Sequence, residues 1–600
     1  MPAAMEPVHV ELKRRIRQAL AECLGANYAE ADPQLRLAQD ERFGDYQSNC
    51  AMGIAKKLGT KPRDLAQRIV DALDMADLCE KPDIAGPGFI NFRLQPAALT
   101  ERLQAIPPAP HDGVDRIGIE SAADPVTVAV DMSSPNLAKE MHVGHVRSTV
   151  IGESVARILE FAGHKVERIN HVGDWGTQFG MLVAHLRTVK PRVLEDPEHL
   201  AIGDLESFYI EAKRQFDSDA AFADEARRTV VALQGGDPET RTIWKAFCDE
   251  SLRHCHAAYD RLGIVSLTDR GESFYNDQLA DVLDELTGLG LVEKSEGADC
   301  IFLDGFVTRD KTPLPLMIRK SDGGYNYTTT DLAALRHRIR RLGAKRIIYV
   351  VGVTQKQHFA MLFTAVRRAG WAGDDVRLEH LAFGSMLGSD GRPFKTREGG
   401  TVKLKDLLDE AVARARKVVK AGEDDPDKGR NLTPAQMDHI AETVGISAIK
   451  YYDLSHGLTT DYKFEWDTML SLEGNTAPYM LYAYARIRSI GRKAGAELAA
   501  LPPDAPIVVE HESEIALAKA LLRFGETVEQ LVADLRPNVL TDYLFTLSKT
   551  FSRFYDRKHG VRVIDAPEPA RTSRLKLCDL TARTLKLGLG LLGIESLEQM

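Results

Sequence analysis

Apolar side chains recur at helical spacing near the start of the chain, at Leu12, Ile16 and Leu20 and again at Leu65, Ile69 and Leu73, so two amphipathic helices are expected there. The β-like run Gly88-Phe-Ile-Asn-Phe92 follows, and residues 1–110 read as a small α+β domain. Its end is marked by Ala105-Ile-Pro-Pro-Ala-Pro-His-Asp-Gly113, where three prolines in four positions favour an extended linker.

Beyond the linker the period changes. Val126 to Val130 is a β-rich run, Ser133 to Met141 is irregular, Val146, Val150, Ile151, Val155, Ile158 and Leu159 return to helical spacing between Gly144 and Phe161, and Val166 to Ile169 reads as a second strand. Strand, loop, helix and strand within about 45 residues make a βαβ unit, hence a parallel sheet with its ligand at the strand carboxyl ends. The pattern repeats at Arg346 to Gly352, a helix from about Gln355 to Ala369, and Leu378 to Leu387. Residues 111–432 are therefore expected to form a multidomain α/β protein's core, a Rossmann-like doubly wound parallel sheet, with a helical insertion at about 180–290. From Thr433-Pro434, an N-cap followed by proline at the first helical position, residues 433–600 read as an all-α domain.

Composition narrows the class. The chain has 600 residues, 44% apolar and 27% charged, which supports several packed cores and excludes global disorder. No window approaches 18 consecutive apolar residues, and MPAAMEPVHVELKRR lacks the apolar stretch of a signal peptide, so a cytoplasmic protein without membrane contact is expected. The seven cysteines are scattered and never form C-x-x-C; reduced thiols and no structural zinc are expected, since His254-Cys255-His256 would point to different helix faces.

The net charge is 77 − 87 = −10, which taken whole argues against a nucleic-acid partner. By region the picture changes. Residues 1–100 carry 13 basic and 14 acidic side chains and residues 471–600 carry 17 and 16, so the whole deficit lies between them. Lys549 to Lys586 holds ten basic residues against four acidic ones, with Phe551, Phe554 and Tyr555 interleaved. That mixture suits unpaired bases and phosphates, and equally a solvated helix face over core aromatics.

Two motifs bear on chemistry. Gly588-Leu-Gly590-Leu-Leu-Gly593 has the spacing of a dinucleotide fingerprint, but no strand precedes it and only seven residues follow, so it is set aside. The stretch Asp131-Met-Ser-Ser-Pro-Asn136-Leu-Ala-Lys139-Glu-Met-His142-Val-Gly144-His145 lies where the first core strand passes into the first core helix, the place where backbone N–H groups and the helix dipole favour an anion. Two imidazoles and an ammonium there can donate to phosphate oxygens, and Gly144 leaves room for a flat base.

His142-Val-Gly-His145 is similar to the HIGH signature of class I aminoacyl-tRNA synthetases. The longer strings Ser134-Pro-Asn-Leu-Ala-Lys-Glu-Met-His-Val-Gly-His-Val-Arg-Ser148 and Asn170-His-Val-Gly-Asp-Trp-Gly-Thr-Gln-Phe-Gly180 resemble the arginyl-tRNA synthetases in particular. The resemblance continues through Phe43-Gly-Asp-Tyr-Gln-Ser-Asn49, Tyr327-Thr-Thr-Thr-Asp331, Phe394-Lys-Thr-Arg-Glu-Gly-Gly-Thr-Val402 and Asn475-Thr-Ala-Pro-Tyr-Met-Leu-Tyr-Ala-Tyr484. It implies a ligase that joins L-arginine to tRNA(Arg) in two steps, forming arginyl-adenylate from ATP carried with Mg2+ and then esterifying the 2′-OH of the terminal adenosine. It implies His142, His145 and Lys139 as catalytic groups, with Gly144, Lys395 and Arg397 also at ATP; Lys139 would replace the lysine lost from the KMSKS-like loop at Thr396.

For arginine the resemblance implies Asp131 and Asp331 as anions, Tyr327 as packing partner, Asn136 at the head group and Gln355 as a polar contact. For tRNA it implies Tyr46, Gln47 and Asn49 in the first domain and Tyr482, Tyr484, Arg553, Arg557 and Lys558 in a C-terminal anticodon-binding domain, with Leu481 standing where relatives often carry Gln. A monomer is the implied state. Two other readings are a HIGH-type adenylating ligase that charges no tRNA, which would not need the terminal domains, and an inactive tRNA-binding paralogue, which would be expected to lose His142, His145 or Lys139.

Overall fold

A computed structural model describes residues 6–196, 202, 205–388, 390–392, 394, 402–425, 431–556, 558 and 560–600. The N-terminal body contains α1 (Val8–Leu24), β1 (Leu35–Leu37), β2 (Tyr46–Ser48), α2 (Cys50–Leu58), α3 (Pro62–Ala72), β3 (Asp83–Ala85), β4 (Phe89–Phe92) and α4 (Pro96–Gln104). Its antiparallel sheet has the order β1-β2-β4-β3, and Leu12, Ile16, Leu20, Leu65 and Ile69 are buried in its core. Proline at the first turn starts both α3 and α4, where its missing N–H costs nothing.

The central body begins with β5 (Thr127–Asp131), α5 (Gly144–Phe161), β6 (Lys165–Asn170), the helices α6 (Thr177–Val189), α7 (Leu205–Ser218), α8 (Ala220–Gln234) and α9 (Pro238–Leu262), then β7 (Leu267–Asp269) and α10 (Leu279–Gly288). After β8 (Glu293–Ser295), β9 (Ala298–Val307) and β10 (Pro313–Arg319) come α11 (Tyr327–Arg340), β11 (Arg346–Tyr349), α12 (Lys356–Arg368), β12 (Arg377–His380), β13 (Met386–Leu387) and α13 (Leu404–Glu423). The main sheet has the order β12-β11-β5-β6-β7 and is parallel throughout. Its central strands are buried on both faces, Val128, Ala129, Val130, Ile347 and Ile348 all being inaccessible, as expected when helices cover a parallel sheet. The order reverses between β11 and β6 on either side of β5, so the carboxyl end of β5, at Asp131, is the crevice of the doubly wound fold.

The helical excursion is shorter than the expected 180–290. It occupies α6 to α9, and the chain then re-enters the sheet at β7, which pairs with β6. Three residues are too few for a strand period to show in the sequence. The antiparallel sheet β10-β9-β8 precedes the second half and gave no comparable signal.

The C-terminal stretch contains α14 (Pro434–Leu454), β14 (Tyr462–Lys463), α15 (Trp466–Met469), α16 (Ala477–Lys493), α17 (Glu512–Leu522), α18 (Phe524–Asp534), α19 (Pro537–Phe554) and α20 (Ala570–Leu591). Thr433 caps α14 through a capping box with Gln436. The region is not purely helical from 433, however, because β14 pairs with β13 and ties its start to the central body. The glycine triplet sits at the end of α20: a Cβ on Gly588 would lie 2.5 Å from Leu544, and Gly593 takes φ +69° just past the helix. Close helix packing and a turn therefore account for this spacing. Among the described residues no helix is long and apolar enough to cross a membrane. His254 bonds the Ile202 carbonyl and His256 the Asp269 carboxylate, while Cys248 and Cys255 are buried.

Candidate functional site

The loop after β5 starts with two consecutive non-glycine residues in the left-handed region, Ser133 (φ 63°) and Ser134 (φ 50°). Such strain persists only where neighbours over-determine it. Ser133 N–H donates to Ser148 Oγ (2.9 Å), whose hydroxyl in turn donates to the Val350 carbonyl, and Ser134 N–H donates to Asn170 Oδ1 (2.9 Å). Asn170 closes β6, and Gly173 N–H donates to the Pro135 carbonyl while Leu137 N–H donates to that of Gly173. The two long strings of the sequence thus meet here, one holding the other.

This loop delivers the two histidines to the N-terminus of α5. Their rings are 4.1 Å apart. His142 Nδ1 accepts from Gly144 N–H (3.0 Å), which leaves the proton of that neutral imidazole on Nε2, while His145 Nδ1 faces both the N–H (3.1 Å) and the carbonyl (3.3 Å) of His142. A side chain at 144 would collide with the His142 ring, 2.7 Å from a Cβ. Burial, and then His142, push the His145 imidazole down to about 4; burial and then Lys139 lower that of His142. His145 is therefore a neutral donor near pH 7, and Lys139 carries the charge of the trio.

The described residues just after the KMSKS-like stretch approach the same place. Phe394 packs on Phe464 at 5.2 Å, and the chain next described, at Val402, accepts from Val143 N–H, while Leu404 N–H donates to Met141 and Lys403 pairs with Glu140 at 3.1 Å. Lys395 and Arg397, expected at ATP, lie outside the described residues.

Against the loop after β5, where His171 N–H donates to Ser134 Oγ (3.0 Å), is a pocket of acidic side chains. Asp331 lies one turn into α11 from Tyr327, with His358 Nε2 at 2.7 Å and His171 Nε2 at 3.8 Å; the exposed Tyr327 ring lies 5.1 Å from that of His358. Glu272, which the sequence reading missed, is half-buried, and burial followed by the charges of Asp331 and Asp174 pushes its carboxyl up to about 8. Crowded carboxylates in a partly desolvated cleft are a place for a cation. The signal available was Asp269-Arg-Gly-Glu272 directly after a strand, too short to stand out. Asn136 is exposed beside the loop and accepts from Gln178 (2.9 Å), and Gln355 is exposed at the start of α12.

Asp131 departs from its expected part as an open anion for arginine. It is buried, its Oδ2 accepts from the fully buried Arg338 at 2.6 Å and its Oδ1 from Ser134 Oγ. As the last residue of β5 it turns beneath the loop, where the chain's own guanidinium already occupies it.

The catalytic-domain model of tRNA synthetases class I (R) matches residues 115–466. The arginine–tRNA ligase of Nostoc sp. is 54% identical over 600 residues, 99% of this chain and all of that protein, and its counterpart in Synechococcus elongatus is 51% identical over 98% and 99%. The chain belongs to the arginyl-tRNA synthetase family. Its N-terminal domain model matches residues 10–94 and the DALR anticodon binding domain residues 480–600. Among solved structures, the arginyl-tRNA synthetase of Plasmodium falciparum superposes with a TM-score of 0.85 at 30% identity over both whole chains, and that of Thermus thermophilus with 0.80 at 26% over 98% and 100%.

Several residues expected at tRNA in this family are committed elsewhere. Tyr46 is 3% exposed and donates to Glu526 Oε2 of α18 at 3.2 Å; Tyr484 is 2% exposed and donates to Glu598 Oε1 at 2.6 Å. Both are joints between elements, because their phenol rings fill cores and only the hydroxyl reaches a partner. Gln47 is half-buried and donates to Asn91, and half-buried Asn49 begins α2. Leu481 is fully buried. The basic segment divides as well: Arg571, Arg574, Lys576 and Arg583 are spent on carbonyls and carboxylates, whereas Lys549, Arg553 and Lys558 are exposed. Arg557 lies outside the described residues. The exposed Tyr482, with Arg486 over Tyr555 (5.5 Å) and Lys549 over Phe545 (5.4 Å), makes a cationic aromatic face on α16 and α19.

Proposed function

We propose that this chain charges tRNA(Arg) with L-arginine. The observation that carries the reading is that one loop, the one after β5, borders a pocket of acidic side chains through His171 and carries two neutral imidazoles and an unneutralised lysine to the N-terminus of a helix. In the first step an arginine carboxylate oxygen attacks the α-phosphorus of ATP, which enters with Mg2+, and pyrophosphate leaves. In the second the terminal 2′-OH of tRNA attacks the carbonyl of the adenylate, and AMP leaves.

Phosphoryl transfer asks the protein for alignment and for donors where charge gathers. His142 donates from Nε2 and His145 from its ring N–H to phosphate oxygens, and Lys139 adds the charge missing at Thr396, with Lys395 and Arg397 as further cationic contacts to ATP. The guanidinium of arginine lies against Asp331 and Glu272, over Tyr327, with Asn136 and Gln355 at the head group. Carboxylates left unpaired by any uncharged amino acid supply the discrimination. The Asp131–Arg338 pair acts as the floor of this pocket. The tRNA is held at the first domain by Gln47 and Asn49, and at the anticodon by Tyr482, Arg486, Lys549, Arg553, Arg557 and Lys558.

Aminoacylation of bulk tRNA with each of the 20 amino acids tests the assignment: charging with arginine alone is expected, and charging with any other overturns it. Arginine activation is expected to need tRNA(Arg), so robust ATP–pyrophosphate exchange in its absence would refute that part. The monomeric, cytoplasmic state implied by the family belongs to the same proposal, and sedimentation of the purified chain and fractionation of cells check it.

A further inference from the structure

The helices α6 to α9 have no part in the reading above, yet they touch the loop between β5 and α5 at three residues spaced three apart. Tyr259 of α9 places its hydroxyl 2.8 Å from Ser133 Oγ. Gln178 of α6 donates to Asn136 Oδ1 at 2.9 Å. The ammonium of Lys139 lies over the ring of Tyr209 of α7, 4.7 Å from its centroid.

The third contact is of a different kind. Lys139 is exposed, and a lysine's four-carbon stem leaves its head free to wander unless something holds it. Among the described residues no carboxylate pairs with it. Tyr209 itself is well supported. Its neighbours Leu205, Phe208 and Ala212 are buried in the insertion, where the Phe208 ring lies 5.8 Å from Phe247 and 4.9 Å from His185. The next position round the helix therefore presents its ring to the loop from a fixed place. The same ammonium is close enough to His142 to lower its basicity, so it sits between the insertion and the first signature histidine.

We propose that Tyr209 is a positioning residue for Lys139, and that holding this ammonium at the phosphate side of the site is a function of the helical insertion. The inference rests on the reading of Lys139 as a catalytic group. A ring face suits the task better than a carboxylate. A carboxylate would neutralise the lysine and repel the phosphates of ATP, whereas the ring quadrupole attracts the cation, leaves its full charge available, and binds weakly enough to yield it to a phosphate oxygen.

The test is ATP–pyrophosphate exchange by the full chain with saturating tRNA(Arg), using Tyr209→Phe, Tyr209→Leu, Lys139→Met and the double variant Lys139→Met/Tyr209→Leu. Tyr209→Phe keeps the ring face and is expected to stay within about twofold of the parent, while Tyr209→Leu is expected to lose roughly threefold to tenfold in kcat with the arginine KM unchanged. In the Lys139→Met background Tyr209→Leu is expected to add nothing. Leucine at parental rate, phenylalanine as impaired as leucine, or an undiminished leucine effect on Lys139→Met would each overturn the role of Tyr209, the last by showing a merely structural defect. Lys139→Met at parental rate would overturn the catalytic reading of Lys139 and the inference with it, a result distinguishable from failure at Tyr209 alone.

Discussion

At the carboxyl end of β5 imidazole, carboxyl and ammonium groups stand ready for a ligand, whereas where the N-terminal body meets α17 and α18 charged side chains pair with each other across the joint. In the first region His142 keeps Nε2–H free, burial and then Asp331 and Asp174 push the Glu272 carboxyl up to about 8, and Lys139 rests on a ring instead of a carboxylate. In the second, His9 meets Glu529 at 2.6 Å, Lys519 meets Asp45 at 2.7 Å and Tyr46 meets Glu526. The same residue types do opposite things. A docking surface gains by satisfying each buried group, while a binding site keeps some unsatisfied so that a substrate can complete them.

The contrast can be broken most severely at the Asp131–Arg338 pair, where charge meets charge although it lies under the site. Asp131→Ala leaves a fully buried guanidinium uncompensated and is expected to cost about 3–5 kcal/mol of stability, read by denaturant unfolding. Arg338→Met in the same chain should recover most of it, and an unaltered midpoint for Asp131→Ala would show that the pair is not structural. Next in size, His145→Ala removes one donor from the region of developing charge and is expected to lower kcat for arginine activation about 10²- to 10³-fold with little change in melting temperature.

Glu272 gives the pH test. Its carboxyl is raised to about 8 in the free protein by burial and neighbouring carboxylates, so below that pH it is protonated and must release its proton when a guanidinium arrives. Cation binding favours the ionised form, hence arginine affinity rises with pH, by at most about tenfold per unit, and levels off above about 8. Glu272→Gln should flatten the profile between pH 6 and 8; an unchanged slope would remove Glu272 from the pocket. The smallest effect is expected at the docking surface. Tyr46→Phe deletes one hydroxyl contact, with a cost of about 1 kcal/mol or less and no change in tRNA affinity by filter binding, and a clear loss of affinity would return Tyr46 to the RNA.

Much of the site was legible because local motifs carried it. The strand, loop and helix around Asp131 to His145 set the place of the histidines, and Tyr327 and Asp331 are four apart on α11 as their spacing implied. Glu272 and His358 were not legible, because each is brought to Asp331 from a separate element by packing. Tyr46, Tyr484 and Arg583 misled for the complementary reason: a residue type suited to RNA is equally suited to a joint, and only burial separates the two.

The sequence by itself determined the two halves of the doubly wound core, the family and the signature loop, since periodicity and short motifs are properties of neighbouring residues. The tertiary structure alone decided which charges are already spent, Asp131 on Arg338 and Arg571, Arg574, Lys576 and Arg583 on carbonyls and carboxylates, and which is held but left available, Lys139 on the face of Tyr209. Electrostatic partners act through distance and desolvation, and residues far apart in the chain acquire both only when it folds.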